Sequence, residues 1–298
     1  MTTMHSLTFS PNATTAAVRR AASEVVLEVP MPLHSGPAEE CIFRGQRARE
    51  AGAFQLVEDD EILAGAAIAP VGLSPRDAAA FLYDELFRVV GDRQLCRVWN
   101  YIPGINELRD GEENYREFNA GRLDAFRQHY GADFRPRLPA ASALGTCGGE
   151  MALAFFAGRE TPIHFENPEQ VPACDYPKDY GAQPPAFARG TCLRTAGGTR
   201  WFLAGTASIK GHLTLGQTFA EQVRLTLDNI LVMERTMALP ADVQSAWKVF
   251  VRNAADIAEC RAAFEKAYPH AMERTMFLHA DVCRSELLVE IEAVYSSE

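Results

Sequence analysis

At 298 residues the chain is too long for one ordinary small domain and has room for two of roughly 150 residues each. With 47% apolar and 23% charged residues it can bury a sizeable core, and a formal charge of −10 argues against partners held by excess Lys and Arg, such as nucleic acid or an anionic membrane surface. No apolar stretch approaches the roughly 18 to 20 residues of a bilayer-spanning helix, and seven scattered cysteines with no CxxC pair fit neither a disulfide scaffold nor a zinc site, pointing to a reducing cytoplasm.

Residues 1–15 hold no basic stretch followed by an apolar core and read as a loose polar leader without a secretory signal. Residues 61–67 then read as a buried strand with Leu63-Ala64-Gly65 at its centre. The turn Ser74-Pro75-Arg76-Asp77 leads into an amphipathic helix over 78–90, with Phe81, Leu86 and Val90 at helical spacing. A strand is predicted at 95–101, rich in Val, Trp and Tyr, and a closing strand within 147–157.

The second half repeats this order. Leu203-Ala204-Gly205 lies 140 residues after its counterpart, a helix is predicted over 218–237 with Phe219, Val223, Leu227 and Ile230 on one face, and a strand follows at 246–251. The closing segment 283–293 runs parallel to 147–157 at a displacement of 136. Two copies of strand, helix, strand, helix, strand predict two α+β modules, each a sheet with helices on one face, meeting near 158–161.

The closing strands differ at two positions. Ala154 and Phe156 of the first copy become Glu290 and Glu292 in the second. Residues two apart share one face of a strand, so both carboxyls project together while Val289 and Ile291 face the other way. A carboxyl among apolar residues is costly unless paired or functional, and its raised pKa suits it to proton donation; a solvated strand face is the plainer alternative.

Residues 111–122 read as an insertion that lengthens the first copy, with Tyr115 and Arg122 on one face if helical. Residues 167–189 have no helical or strand period and are dense in Pro, Tyr and Gly, as expected of a stiff functional loop or of a linker. His164 and His212 stand without sequence partners and read as structural or surface histidines. No dinucleotide, P-loop, zincin or serine-hydrolase motif is present.

Trp201-Phe202-Leu203-Ala204-Gly205, the helix end Thr226-Leu227-Asp228-Asn229-Ile230 and the ending Val289-Glu290-Ile291-Glu292-Ala293 resemble the RidA/YjgF fold. The longer pattern of Gly121-Arg122-Leu123-Asp124-Ala125-Phe126, Glu166-Asn167-Pro168, Tyr176-Pro177, Tyr180-Gly181, Phe187-Ala188-Arg189 and Gly205-Thr206-Ala207-Ser208-Ile209 resembles the chorismatases, from about residue 60 onwards.

The resemblance implies an α+β fold of two RidA/YjgF-like modules in tandem, mixed sheets each packed by helices on one face. Residues 1–158 would form the module with the substrate-binding insertion and 159–298 the module with the catalytic acid. It implies cleavage of the enolpyruvyl ether of chorismate to pyruvate and 3-hydroxybenzoate, accompanied in some members by 4-hydroxybenzoate, without metal or cofactor, by a cytoplasmic protein that is a monomer with an internal repeat or a homotrimer. Tyr115, Arg122, Tyr176 and Arg189 match substrate-holding positions and Glu290 the catalytic acid. Cys283, seven residues before the acid, matches the aromatising type, whereas Ala207 at a small-residue position matches the hydrolytic type, whose product is a dihydroxycyclohexadiene carboxylate. A buried packing role for Cys283 stays open. Imine deamination of the RidA kind and non-catalytic sensing of a small molecule are the other readings of the same fold.

Overall fold

The computed structural model describes residues 2–21 and 23–297. It begins with a small sheet built from β1 (Thr3–Phe9), β2 (Ala17–Ala21), β3 (Glu24–Val29) and β5 (Glu39–Gly45) in the order β2-β3-β1-β5, while β4 (Leu33–Ser35) joins another sheet. The stretch read as a loose leader therefore contains the strand β1, paired on both sides, with Leu7 and Phe9 buried. Its pattern was masked because His5 and Ser6, also buried, are polar.

The second sheet comprises β6 (Arg47–Ala51), β7 (Phe54–Glu58), β8 (Ile62–Ile68), β9 (Gln94–Pro103), β12 (Ala140–Thr146) and β13 (Ala152–Gly158) in the order β12-β9-β13-β8-β7-β6. Between these strands run α1 (Pro75–Val90), the short hairpin of β10 (Leu108–Arg109) and β11 (Glu112–Glu113), and α2 (Asn114–Tyr130). The start of α1 follows from its sequence. Ser74 Oγ accepts the Asp77 N–H at 3.1 Å, and Pro75 occupies the first turn, where no N–H is needed.

The third sheet is formed by β14 (Ile163–Phe165), β15 (Gly190–Thr195), β16 (Gly198–Thr206), β19 (Gln244–Val251), β20 (Thr275–His279) and β21 (Val289–Ser297), extended by β4. A small hairpin, β17 (Ile209–Lys210) with β18 (Leu213–Thr214), precedes α3 (Phe219–Thr236), and α4 (Ile257–Ala267) lies between β19 and β20. Thr218 and Glu221 close a reciprocal capping box at the start of α3.

The order β14-β15-β16-β21-β19-β20 repeats β6-β7-β8-β13-β9-β12, with the parallel pair, β9 with β12 and β19 with β20, at the same place in each. This is the tandem α+β architecture expected. Two expectations are corrected. Residues 111–122 are not an insertion: most of them open α2, the counterpart of α4, longer than it by nearly two turns. The closing strands begin later than 147 and 283, because the residues before Ala152 and Val289 form turns.

Strand alternation decides what each face meets. On β13, Leu153, Phe155 and Ala157 pack towards α1 and α2, while Ala152, Ala154 and Phe156 enter a core shared by all three sheets with Leu7, Phe9, Val25 and Phe202. On β21, Val289, Ile291 and Ala293 pack towards α3 and α4. Glu290 and Glu292 consequently point into the shared core, where their first-copy equivalents are apolar.

Candidate functional site

Glu292 is fully engaged. Its carboxylate receives Arg97 Nη2 at 2.6 Å, Trp99 Nε1 at 2.9 Å and Lys248 Nζ at 2.9 Å, and Lys248 also pairs with Glu40 of the first sheet. Burial alone would raise its pKa, but Lys248 and Arg97 overrule that and hold Glu292 below the usual carboxylate range.

Glu290, one pleat away and 3% exposed, has a different environment. Burial pushes its pKa up to about 8, and the negative charge of Glu292 adds to this, against weaker opposition from Arg97, the Cys283 thiol and Arg189. Two carboxyls on one strand face are thus driven apart, one to the charged form and one to the neutral acid at pH 7.

Glu290 lines a cavity of about 220 Å³ whose walls come from both modules. From α2 come Tyr115 and Arg122, from the 167–189 loop Tyr176, Tyr180, Phe187 and Arg189, from beyond β16 Ala207, and from the turn before β21 Cys283 and Arg284. The seven residues matched to site positions, Tyr115, Arg122, Tyr176, Arg189, Ala207, Cys283 and Glu290, line this one cavity, whereas Glu292 and His212 do not. His164 lies elsewhere, bonded to Thr191 Oγ1 at 2.9 Å, and burial lowers its pKa to about 4.

The cations are held by aromatic faces and single polar anchors. Arg122, 1% exposed, lies 4.7 Å from the Phe118 ring centre and donates from Nη2 to Asn119 Oδ1 at 2.7 Å. Arg189 lies 4.9 Å from the Phe187 ring centre and donates to the Tyr176 hydroxyl at 2.5 Å. The Nε groups of both are buried without an acceptor among the described residues, so each keeps donor capacity for an anion. Burial keeps the Tyr115 phenol protonated and pushes the Cys283 thiol up to about 12, which makes Cys283 a neutral thiol rather than a nucleophilic thiolate.

Two contributors escaped the sequence reading. Gly205 lies where the ladder between β16 and β21 is irregular, and a Cβ there would come within 1.9 Å of Glu290 Oε1. The Leu-Ala-Gly repeat marked the position, but not that the space belongs to a side chain of the next strand. Arg284 gave no periodic or motif signal, since it sits in a turn.

A profile of the family described as "Chorismatase FkbO/Hyg5-like, N-terminal" matches residues 42–157. A chorismatase of Streptomyces hygroscopicus is 35% identical over 85% of this chain and 78% of its own length. The chain belongs to the chorismatase family. A 3-hydroxybenzoate synthase from the same organism is 39% identical over 70% of this chain, which spans 66% of that relative's length. The crystal structure of a chorismatase at 1.08 Å resolution superposes on 98% of this chain and 92% of its own with a TM-score of 0.84 at 29% identity. The family resemblance read in the sequence is therefore borne out. Among the described residues no helix is long and apolar enough to cross a membrane.

Proposed function

We propose that the chain cleaves the enolpyruvyl ether of chorismate to pyruvate and 3-hydroxybenzoate, with Glu290 as general acid. One observation carries this reading: a carboxyl kept neutral by burial faces a cavity that also holds the buried guanidiniums of Arg122, Arg189 and Arg284. That pairing suits a dicarboxylate that has to be protonated on carbon.

In this account Glu290 gives its proton to the methylene carbon, whose π electrons form the new C–H bond and leave an oxocarbenium at the ether carbon. Water adding to that carbon gives a hemiketal, whose collapse passes a proton to the ring oxygen, breaks the bond between that oxygen and the side-chain carbon, and frees pyruvate and the diol. Alternatively the ring 4-hydroxyl loses its proton and attacks the ring carbon that bears the ether oxygen, breaking the ring C–O bond so that pyruvate leaves. The three-membered ring so formed then opens to hydroxybenzoate with loss of a ring proton. Hydroxybenzoate and pyruvate together contain the atoms of chorismate, whereas the diol and pyruvate contain one further water. Arg122 with Tyr115, and Arg189 with Tyr176, would hold the two carboxylates, because a guanidinium matches a carboxylate in shape and charge.

Ala207 favours the hydrolytic alternative. Cys283 favours hydroxybenzoate, and its neutral thiol lies against Glu290, where it takes space that an attacking water would need. We also read the molecule as two units dividing at 158/159, and as a monomer, since the inner faces of its three sheets cover one another.

The test is to mix purified protein with chorismate, follow loss of its absorbance and release of pyruvate, and separate the products by chromatography. Hydroxybenzoate and pyruvate in equal amounts are expected. Turnover of imines but not chorismate would favour a deaminase, and binding of chorismate without turnover would favour a sensor.

A further inference from the structure

Four arginines line the cavity; Arg116 is exposed and engaged by Asp179 O and Glu113, which leaves three buried guanidiniums, one more than a dicarboxylate requires. Arg122 stands on α2 among Asn119, Phe118 and Tyr115. Arg189 and Arg284 instead share their surroundings. They lie 5.9 and 5.2 Å from the ring centre of the same tyrosine, Tyr176, and both act on the Cys283 thiol.

Arg284 is 9% exposed, and its guanidinium lies 4.0 Å from the Tyr180 ring centre. Its Nη1 donates to His212 O at 2.9 Å and Thr214 Oγ1 at 3.1 Å, which fixes the plane of the group. Its Nη2 is buried without an acceptor among the described residues, as is Nε of Arg189. Arg189 also feels the Glu166 carboxyl, whose own pKa burial raises to about 7. Two like charges held near one ring, each with an unmet buried donor, still favour an anion between them.

We infer that Arg284 is a substrate-binding residue which, with Arg189, clamps the carboxylate of the enolpyruvyl group and, after cleavage, that of pyruvate. This rests on the chorismate reading above, and connectivity selects the carboxylate. In an enolpyruvyl ether the methylene and the carboxylate are borne by the same carbon. A methylene presented to Glu290 therefore brings this carboxylate towards Arg189, which is near enough to Glu290 to act on its charge. The ring carboxylate, across the ether oxygen, is left to Arg122.

The experiment is calorimetric titration of the wild type, Arg284→Gln and Arg284→Lys with pyruvate and, separately, with 3-hydroxybenzoate. Arg284→Gln should weaken pyruvate binding about ten- to a hundredfold and change hydroxybenzoate binding less than about twofold, with part of the loss recovered by Arg284→Lys. The hydroxybenzoate arm checks that the cavity still folds, and Arg284→Lys supplies the comparison if the Gln variant does not. Unchanged pyruvate binding, or equal weakening of both ligands, overturns the clamp. A wild type that binds pyruvate through Arg284 yet leaves chorismate intact upholds the clamp and sinks the cleavage reading instead.

Discussion

The carboxyl of Glu290 occupies the space a methyl group on Gly205 would fill, with Glu290 Oε1 1.9 Å from the position of that Cβ. Glycine at 205 is thus what lets the carboxyl lie against the backbone of β16. Gly205→Ala should push Glu290 off its place, costing about 1 to 3 kcal/mol in stability and lowering pyruvate release by roughly two orders of magnitude through misplacement. Thermal unfolding and steady-state rates measured together check both numbers; wild-type turnover in this variant would show that the acid need not sit there.

Glu292 and Lys248 form the next test. Both side chains are 3% exposed, and Arg97 completes the group. Glu292→Gln would leave buried Arg97 without a carboxylate partner, Lys248 keeping Glu40, so a loss of about 3 kcal/mol is expected in denaturant unfolding. A loss below about 1 kcal/mol would mean that water reaches this cluster.

The order of elements from β8 onwards, the repeat and the acidic strand face were legible because they are local or pairwise signals: apolar spacing, a Ser-Pro start to α1, and two acids where the other copy has Ala154 and Phe156. The cavity residues Tyr115, Arg122, Tyr176, Arg189, Ala207 and Cys283 were assigned their places through the family resemblance. The strand β1 was not, because its buried face includes His5 and Ser6 and its partners lie in β3 and β5. The role of α2 was misread because length alone suggested an insertion, whereas sheet order identifies it as the counterpart of α4. Nor could spacing separate Glu290 from Glu292. What distinguishes them is Lys248 on a neighbouring strand and Arg97 from the other module.

For Cys283 the products decide. Cys283→Ala should still release pyruvate, since protonation by Glu290 comes first, but shift the other product from hydroxybenzoate towards the diol. A packing cysteine would instead cost about 1 kcal/mol on truncation and leave the ratio unchanged by chromatography.

The pH dependence has a definite sign. A general acid has to carry its proton, so with Glu290 raised to about 8 the rate should be level below that pH and fall above it. The same shift acts on stability. Between the ordinary value of 4.5 and about 8 the folded protein keeps a proton that the unfolded chain releases, so this group's contribution falls as pH rises through that window. Glu290→Gln should remove that slope, and its stability relative to wild type should therefore increase with pH in denaturant titrations.

The most direct measurement is single-turnover pyruvate release by Glu290→Gln, paired with calorimetric binding of chorismate to the same variant. The amide keeps the shape and the cavity but has no proton to give. Binding within a few fold of wild type with pyruvate release reduced by about 10³ or more is the predicted result. Near-normal release with intact binding would contradict the account, because the proton would then come from another group.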